Sequence, residues 1–246
     1  EGEGLQSLSD YLAGKVQPSL TNGLVAYYPF NGNANDESGN ERHGTPGSEV
    51  AYRDGVIAQA LHVTSNNAVV TIERSKLNFD GWKSYSLSLW FNMEQMSVYG
   101  DLFNVSSYSQ GSNVGFSAQI GGIWQGQPYS GKSGVRLNSP SNWASVAFKS
   151  FGSAAGSFVK INRWYHLVVN YDGKYIKSYF DGEFDNQKEI AAELSDATVY
   201  HPDGHFTTIG TNSAYRYPDM PLFGQIDEVR IYDRVLSADE VKRLYV

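Results

Sequence analysis

The chain has 246 residues, no cysteine, and 19 Lys and Arg against 26 Asp and Glu, for a formal net charge of -7. The missing cysteines exclude a thiolate metal site, a cysteine nucleophile and a disulfide framework. The acidic balance, with no Lys/Arg cluster, argues against nucleic acid as a partner, because phosphate binding needs clustered cations.

The length suits one large all-β domain as well as two small ones, and it suffices to bury a core without staples. Few charges beside 25 Gly, 17 Tyr and 5 Trp fit a sheet protein with long loops, and surfaces that touch neutral polar ligands such as sugars. No apolar run approaches the roughly 18 residues of a membrane helix, so the chain is not expected to span one. It begins at Glu1 without a Met, and the expectation is an extracellular or cell-surface chain whose targeting segment has been removed.

In residues 1–20, Leu5, Leu8, Leu12 and Val16 recur at helical spacing, Ser7 or Ser9 can cap, and Pro18 ends the pattern. This predicts a short N-terminal helical segment or linker over 1–20, ahead of a domain over 21–246. From Leu24 the period changes to two. A strand is predicted over 24–30, closed by Pro29 and the Asn31-Gly32 pair, and another over 68–72. Residues 85–92 alternate: Tyr85, Leu87, Leu89 and Phe91 face one way, Ser86, Ser88 and Trp90 the other. Residues 99–157 are looser, rich in Gly and Ser, with short apolar pieces at 114–120 and 144–148, and read as strands joined by long loops. Strands over 164–171 and 175–180 flank Asp172-Gly173, a hairpin signal. Strands over 206–209 and 223–232 complete the set. At the C-terminus Ser237 and Glu240 form a capping box, with Leu236 and Val241 as its hydrophobic staple. Many short strands separated by turn signals predict a sandwich.

Four segments, in order, carry a family resemblance. Residues 23–40 read GLVAYYPFNGNANDESGN and are followed by His43-Gly44. Residues 85–91 read YSLSLWF. Residues 164–173 read WYHLVVNYDG and run on to the YFDG of 179–182. Residues 224–237 read GQIDEVRIYDRVLS. Together they resemble the laminin-G-like jelly roll of secreted bacterial proteins, within the concanavalin A-like lectin/glucanase superfamily. The resemblance covers residues 23–246; the stretch 99–157 departs from it. It implies an all-β, concanavalin A-like jelly-roll sandwich of two antiparallel sheets, with a short C-terminal helix after the short N-terminal segment. Leu87, Leu89 and Phe91 would join Leu167, Val169, Ile176 and Phe180 between the sheets. Trp90, His166 and Tyr179 would lie together on an outer, concave face.

Asp36 is a metal candidate: in a Gly/Asn-rich loop, carbonyls can turn inward and a carboxylate can complete the oxygen cage that calcium prefers. The resemblance implies a structural calcium held by Asp36 and Asp227, with backbone oxygens near Ser38 and His43. Alternatively, Asp36 and Asn40 cap turns through their side chains. Trp90 and His166 read either as a polar-aromatic ligand floor or as packing residues under a long loop. The loop aromatics Tyr108, Trp124, Tyr129, Trp143, Tyr215 and Tyr217 can stack on sugar rings and bond hydroxyls, or can pin loops to the sheet.

Catalysis lacks a pattern. Glycosidases need two carboxylates flanking the bond, about 5–5.5 Å apart for retention. Glu183 and Asp185 have the spacing but follow the turn at Asp181-Gly182. Asp227 and Glu228 are adjacent and so should face opposite ways, while Glu228 and Arg230 look like a cross-strand charge pair. No hydrolase, zinc-protease or P-loop motif is present. The expectation is a non-catalytic recognition domain that binds carbohydrate through Trp90, Trp124, Tyr129, Trp143, His166 and Tyr215. The alternatives are a protein-interaction or spacer module, and, third, a hydrolase with an unrecognised site. A lipid anchor is compatible with all three.

Overall fold

Residues 85–93 alternate apolar and polar side chains, and a strand with that period buries one face. In a computed structural model of the chain they form a central strand. The structure describes residues 19–79, 82–96, 100–109, 112–121, 123–124, 127–128, 134–138, 143–148, 159–189, 206–211 and 221–246. The expected N-terminal helix lies outside them.

The strands in chain order are β1 (Leu24–Tyr28), β2 (Thr45–Pro46), β3 (Ala51–Asp54), β4 (Gln59–Val63), β5 (Val70–Glu73), β6 (Tyr85–Met93), β7 (Gly100–Ser109), β8 (Ser112–Ile120), β9 (Ile123–Trp124), β10 (Gln127–Pro128), β11 (Gly134–Asn138), β12 (Trp143–Ala147), β13 (Trp164–Tyr171), β14 (Tyr175–Phe180), β15 (Glu183–Glu189), β16 (Phe206–Ile209) and β17 (Gly224–Tyr232). One helix follows, α1 (Ala238–Tyr245).

All described pairings are antiparallel. The first sheet runs β15-β14-β13-β6-β17-β4-β3, with β1 also paired to β17; the second runs β12-β11-β8-β7-β16-β5-β2. β9 and β10 form a two-stranded ribbon in the connection between β8 and β11.

The inner faces meet as the alternation predicts. Leu87, Leu89, Phe91, Leu167, Val169, Ile176 and Phe180 all lie in one buried cluster with Phe103, Val105, Phe116, Ala118 and Ile120 of the second sheet. Aromatic rings span the interface: Tyr85 meets Phe116 edge-on at 4.9 Å between centroids, and Phe180 meets Phe148 likewise at 4.9 Å. Burying side chains of this size contributes about 1.5–3 kcal/mol each before the entropy of ordering them is set against it.

Two local features set the direction of side chains on the first sheet. The Asp172-Gly173 turn forms as expected, with Gly173 at φ +87 and Asp172 Oδ1 accepting from the amides of Lys174 and Tyr175. On β17 the register shifts between Asp227 and Arg230, with Glu228 at φ +54. At this bulge the strand changes neighbours: residues 224–226 pair with β4 and residues 229–232 with β1. Bulges of this kind re-aim side chains. The glycine beginning β17 is fixed by contact, since a Cβ on Gly224 would collide with the backbone of Asn92.

Candidate functional site

Trp90 and His166 are cross-strand partners on the outer face of the first sheet. Their rings lie 5.0 Å apart. The expected open floor does not form there. α1 runs across this face: Tyr245 stacks on Trp90 at 5.5 Å and on His166 at 6.1 Å. Further along, Val168, Tyr232, Leu236, Val241 and Leu244 make a second buried cluster, against which the half-buried Tyr179 packs. His166 is 1% exposed, and its Nε2 shares a hydrogen bond of 2.9 Å with Ser88 Oγ. Burial, helped by the charge of Arg230, pushes its pKa down to about 3. The ring is therefore neutral at physiological pH. The stacking of Tyr245 places the pair beneath the C-terminal helix rather than under a central loop.

Asp36 is buried beside β1. Its Oδ1 accepts from the amides of Tyr27 (2.8 Å) and Ser38 (2.9 Å), and its Oδ2 from the amide of Arg42 (2.9 Å). Burial alone would raise its pKa; the bonds from Tyr27, Ser38 and Arg42 outweigh that and hold the carboxyl below its usual range. His43 Nδ1 accepts from the Asp36 amide, and Ser38 Oγ donates to Val25 O. Asp227 repeats the pattern. Its Oδ2 accepts from the amides of Val56 and Ile57, and its Oδ1 from that of Glu228. Calcium needs six to eight oxygens with lone pairs turned to one centre. Here both carboxylates face N–H donors, and no cluster of three or more His, Asp or Glu suited to a metal occurs among the described residues. Both carboxylates cap backbone amides, the arrangement of the turn-capping alternative.

The β17 bulge puts Asp227 and Glu228 on the same outer face, not on opposite ones. Glu228 is buried, accepts from the Tyr27 hydroxyl through both oxygens, and pairs with Arg230 Nη2 at 2.6 Å. Arg230 also lies over the Tyr27 ring at 4.1 Å. The ion pair is thus within one strand, with Tyr27 as the cross-strand member. Asp227 is fully buried, and desolvation raises its pKa to about 6 despite its three amide bonds. On β15, Asp185 accepts from Ser178, and Glu183 lies 3.8 Å from Lys242.

The outer face of the second sheet has a different character. Phe103, Val105, Phe116, Ala118 and Ile120 point inward, so Asp101, Asn104, Ser117 and Gln119 point outward. The register extends a polar row across the sheet: Thr45, Thr71, Thr208, Asn104, Ser117, Arg136 and Ser145 are successive cross-strand partners. One step along, Gln119 Nε2 donates to Asp101 Oδ1 at 2.5 Å. Gln119 Oε1 and Thr208 Oγ1 are buried and make no hydrogen bond, and native structures leave few such groups without a role. The sequence signal for this face is the alternation itself, which the Gly and Ser content of 99–157 obscures.

Four connections open at the Asp101 end of this sheet. β7 starts there, the chain leaves β8 at Ile120 and returns at Gly134, it leaves β12 after Ala147, and it leaves β16 after Ile209. Trp124 lies in one of these connections, opposite Gln127 in the β9–β10 ribbon; Tyr129, Tyr215 and Tyr217 belong by sequence to the same group. Trp143 pairs with Asn138 at the far end. Tyr129, Tyr215 and Tyr217 lie outside the described residues, as do the side chains of Tyr108, Trp124 and Trp143.

The model of the concanavalin A-like lectin/glucanases superfamily matches residues 64–242. No curated protein matches the chain in sequence. The fold is similar to domain 4 of AbnA, an extracellular arabinanase from Geobacillus stearothermophilus, in a structure with arabinotriose. That match has a TM-score of 0.65 and 23% identity, and covers 91% of this chain and 98% of that one. The fold is also similar to the binding domain of Paraclostridial mosquitocidal protein 1 (TM-score 0.66, 16% identity, 92% of this chain and 52% of that one). A third likeness is to the ligand-binding domain of botulinum neurotoxin serotype D in complex with N-acetylneuraminic acid (TM-score 0.64, 16% identity, 92% and 51%). The chain spans about half the length of these two toxin domains.

Proposed function

The chain belongs to the concanavalin A-like lectin/glucanase superfamily, and on that premise we propose that it is a non-catalytic, extracellular carbohydrate-recognition domain. The observation that carries this reading is the polar outer face of the second sheet. Asp101, Asn104, Ser117, Gln119 and Thr208 on it are each 5% exposed or less, so a sugar would meet them only at the end of the row where four connections open; amide, hydroxyl and carboxylate groups there are the partners that its hydroxyls require. Trp124, Tyr129 and Tyr215 in those connections would supply the ring faces on which a sugar stacks; Trp143 lies at the far end. Trp90 and His166 hold the helix and take no part. The sugar-bound structures of AbnA domain 4 and the serotype D toxin domain support the ligand class.

The disposition of the acids supports a binding role over hydrolysis. Asp227 is enclosed by amides, and Glu228 is occupied by Tyr27 and Arg230. The described acids on the polar face, Asp101 and Glu73, lie toward opposite ends of it, too far apart to flank one glycosidic bond. No described helix is long and apolar enough to cross a membrane.

A protein-binding reading draws on a different feature. Phe184 is 54% exposed and Tyr245 40%, on the outer side of the first sheet, where a protein partner would find aromatic anchors. A glycan array followed by titration of the bound sugars separates the two. Binding weakened by Trp124→Ala and untouched by Phe184→Ala supports carbohydrate recognition at the second sheet. Absence of any glycan binding overturns it.

A further inference from the structure

We propose that Arg42 serves as a built-in cation that closes the loop over residues 36–43, and that the domain is held together without calcium. The inference begins at the edge of β1. Among the described residues this strand pairs only with β17, which leaves its second edge in need of partners, and an open edge is a liability that proteins cover.

The loop over 36–43 supplies several of them. The Tyr27 amide donates to Asp36 Oδ1, and Tyr27 O accepts from the Glu37 amide at 2.8 Å. Val25, at a register shift in β1, presents a carbonyl that accepts from Ser38 Oγ (3.2 Å), Asn40 Nδ2 (3.0 Å) and Arg42 Nη1 (2.9 Å). From the other side the Tyr28 hydroxyl donates to Arg42 O at 2.7 Å. Arg42 thus contributes three groups: its amide to Asp36, its carbonyl to Tyr28 and its guanidinium to Val25.

The charges are also settled. Asp36 receives the positive ends of three amide dipoles, and the guanidinium brings a full positive charge to the Val25 carbonyl. Hydrogen bonds from a charged donor to a carbonyl are stronger than neutral ones. A divalent ion in the same loop would compete with three amides for Asp36 and with three side-chain donors for the Val25 carbonyl, and it would be repelled by the guanidinium. The β17 side is fastened in the same way, with Asp227 capturing the amides of Val56 and Ile57 from the β3–β4 turn. Neither clamp depends on what the second sheet binds.

The test is thermal unfolding of chelator-stripped protein, in excess EGTA and in millimolar calcium chloride, with calorimetric calcium titration alongside. The expected result is one Tm in both buffers and no binding heat. Arg42→Ala and Asp36→Asn should each lower Tm by several degrees, equally with and without calcium. A rise of the wild-type Tm on adding calcium, or a stoichiometric binding heat that Asp36→Asn abolishes, overturns the proposal. If either variant fails to fold, the wild-type titration decides alone.

Discussion

The ring of Tyr245 lies 17° from parallel to the indole of Trp90, 5.5 Å away, and so the last turn of α1 is pinned to the outer face of the first sheet. This stack joins residues 155 positions apart, and it makes the half-buried Trp90 part of a packed layer.

Removing that ring tests the layer. Tyr245→Ala should destabilise the protein by about 1–2 kcal/mol, since Tyr245 is partly exposed and its stacking adds only modestly to area burial. Urea unfolding checks it, and sugar binding should be unchanged.

The helix start offers a second test. Ser237 Oγ accepts from the Glu240 amide, Glu240 accepts from the Ser237 amide, and Arg234 pairs with Glu240 at 2.6 Å. Ser237→Ala should cost about 1 kcal/mol as a lost cap. Arg234→Ala should cost more, about 2–3 kcal/mol, because Glu240 is buried and would lose its counter-charge.

The pH dependence follows from two buried groups with opposite signs. His166 titrates at about 3 in the folded protein against an ordinary 6.5. The unfolded chain therefore binds its proton first, and stability falls as pH drops below 6.5. Asp227 titrates at about 6 against an ordinary 3.8. The folded chain binds that proton first, and stability rises as pH falls through 6 toward 3.8. Between those values the two slopes, each up to about 1.4 kcal/mol per pH unit, oppose one another. Wild-type stability should change little there. Asp227→Asn should make the protein acid-sensitive in that window, and His166→Gln should make it more stable toward acid. Urea midpoints measured across the window distinguish these outcomes.

The features legible in the sequence are local ones. Ser237, Glu240, Leu236 and Val241 lie within six residues of one another, and their box and staple form as expected. Leu87, Leu89, Phe91, Leu167 and Val169 announce an inner face through a period of two. β15, with the sequence EFDNQKE, carries no apolar alternation and gives no strand signal, because it is an edge strand with a solvated surface. The cover over Trp90 and His166 is not legible either, since it comes from a helix far along the chain. Likewise, the facing of Asp227 and Glu228 depends on a bulge that arises where β17 changes partners, which neither residue type signals.

On the proposed reading, a sugar meets the second sheet at the end where Gln119 and Trp124 lie. Calorimetric titration of the best glycan-array hit tests it most directly, on the wild type, Trp124→Ala, Gln119→Ala and Trp90→Ala. Binding should weaken about tenfold or more in the first two variants, a loss on the order of 1.4 kcal/mol, and remain unchanged in Trp90→Ala. Binding that survives Trp124→Ala and Gln119→Ala but is lost in Trp90→Ala would contradict the account and place the site on the opposite sheet.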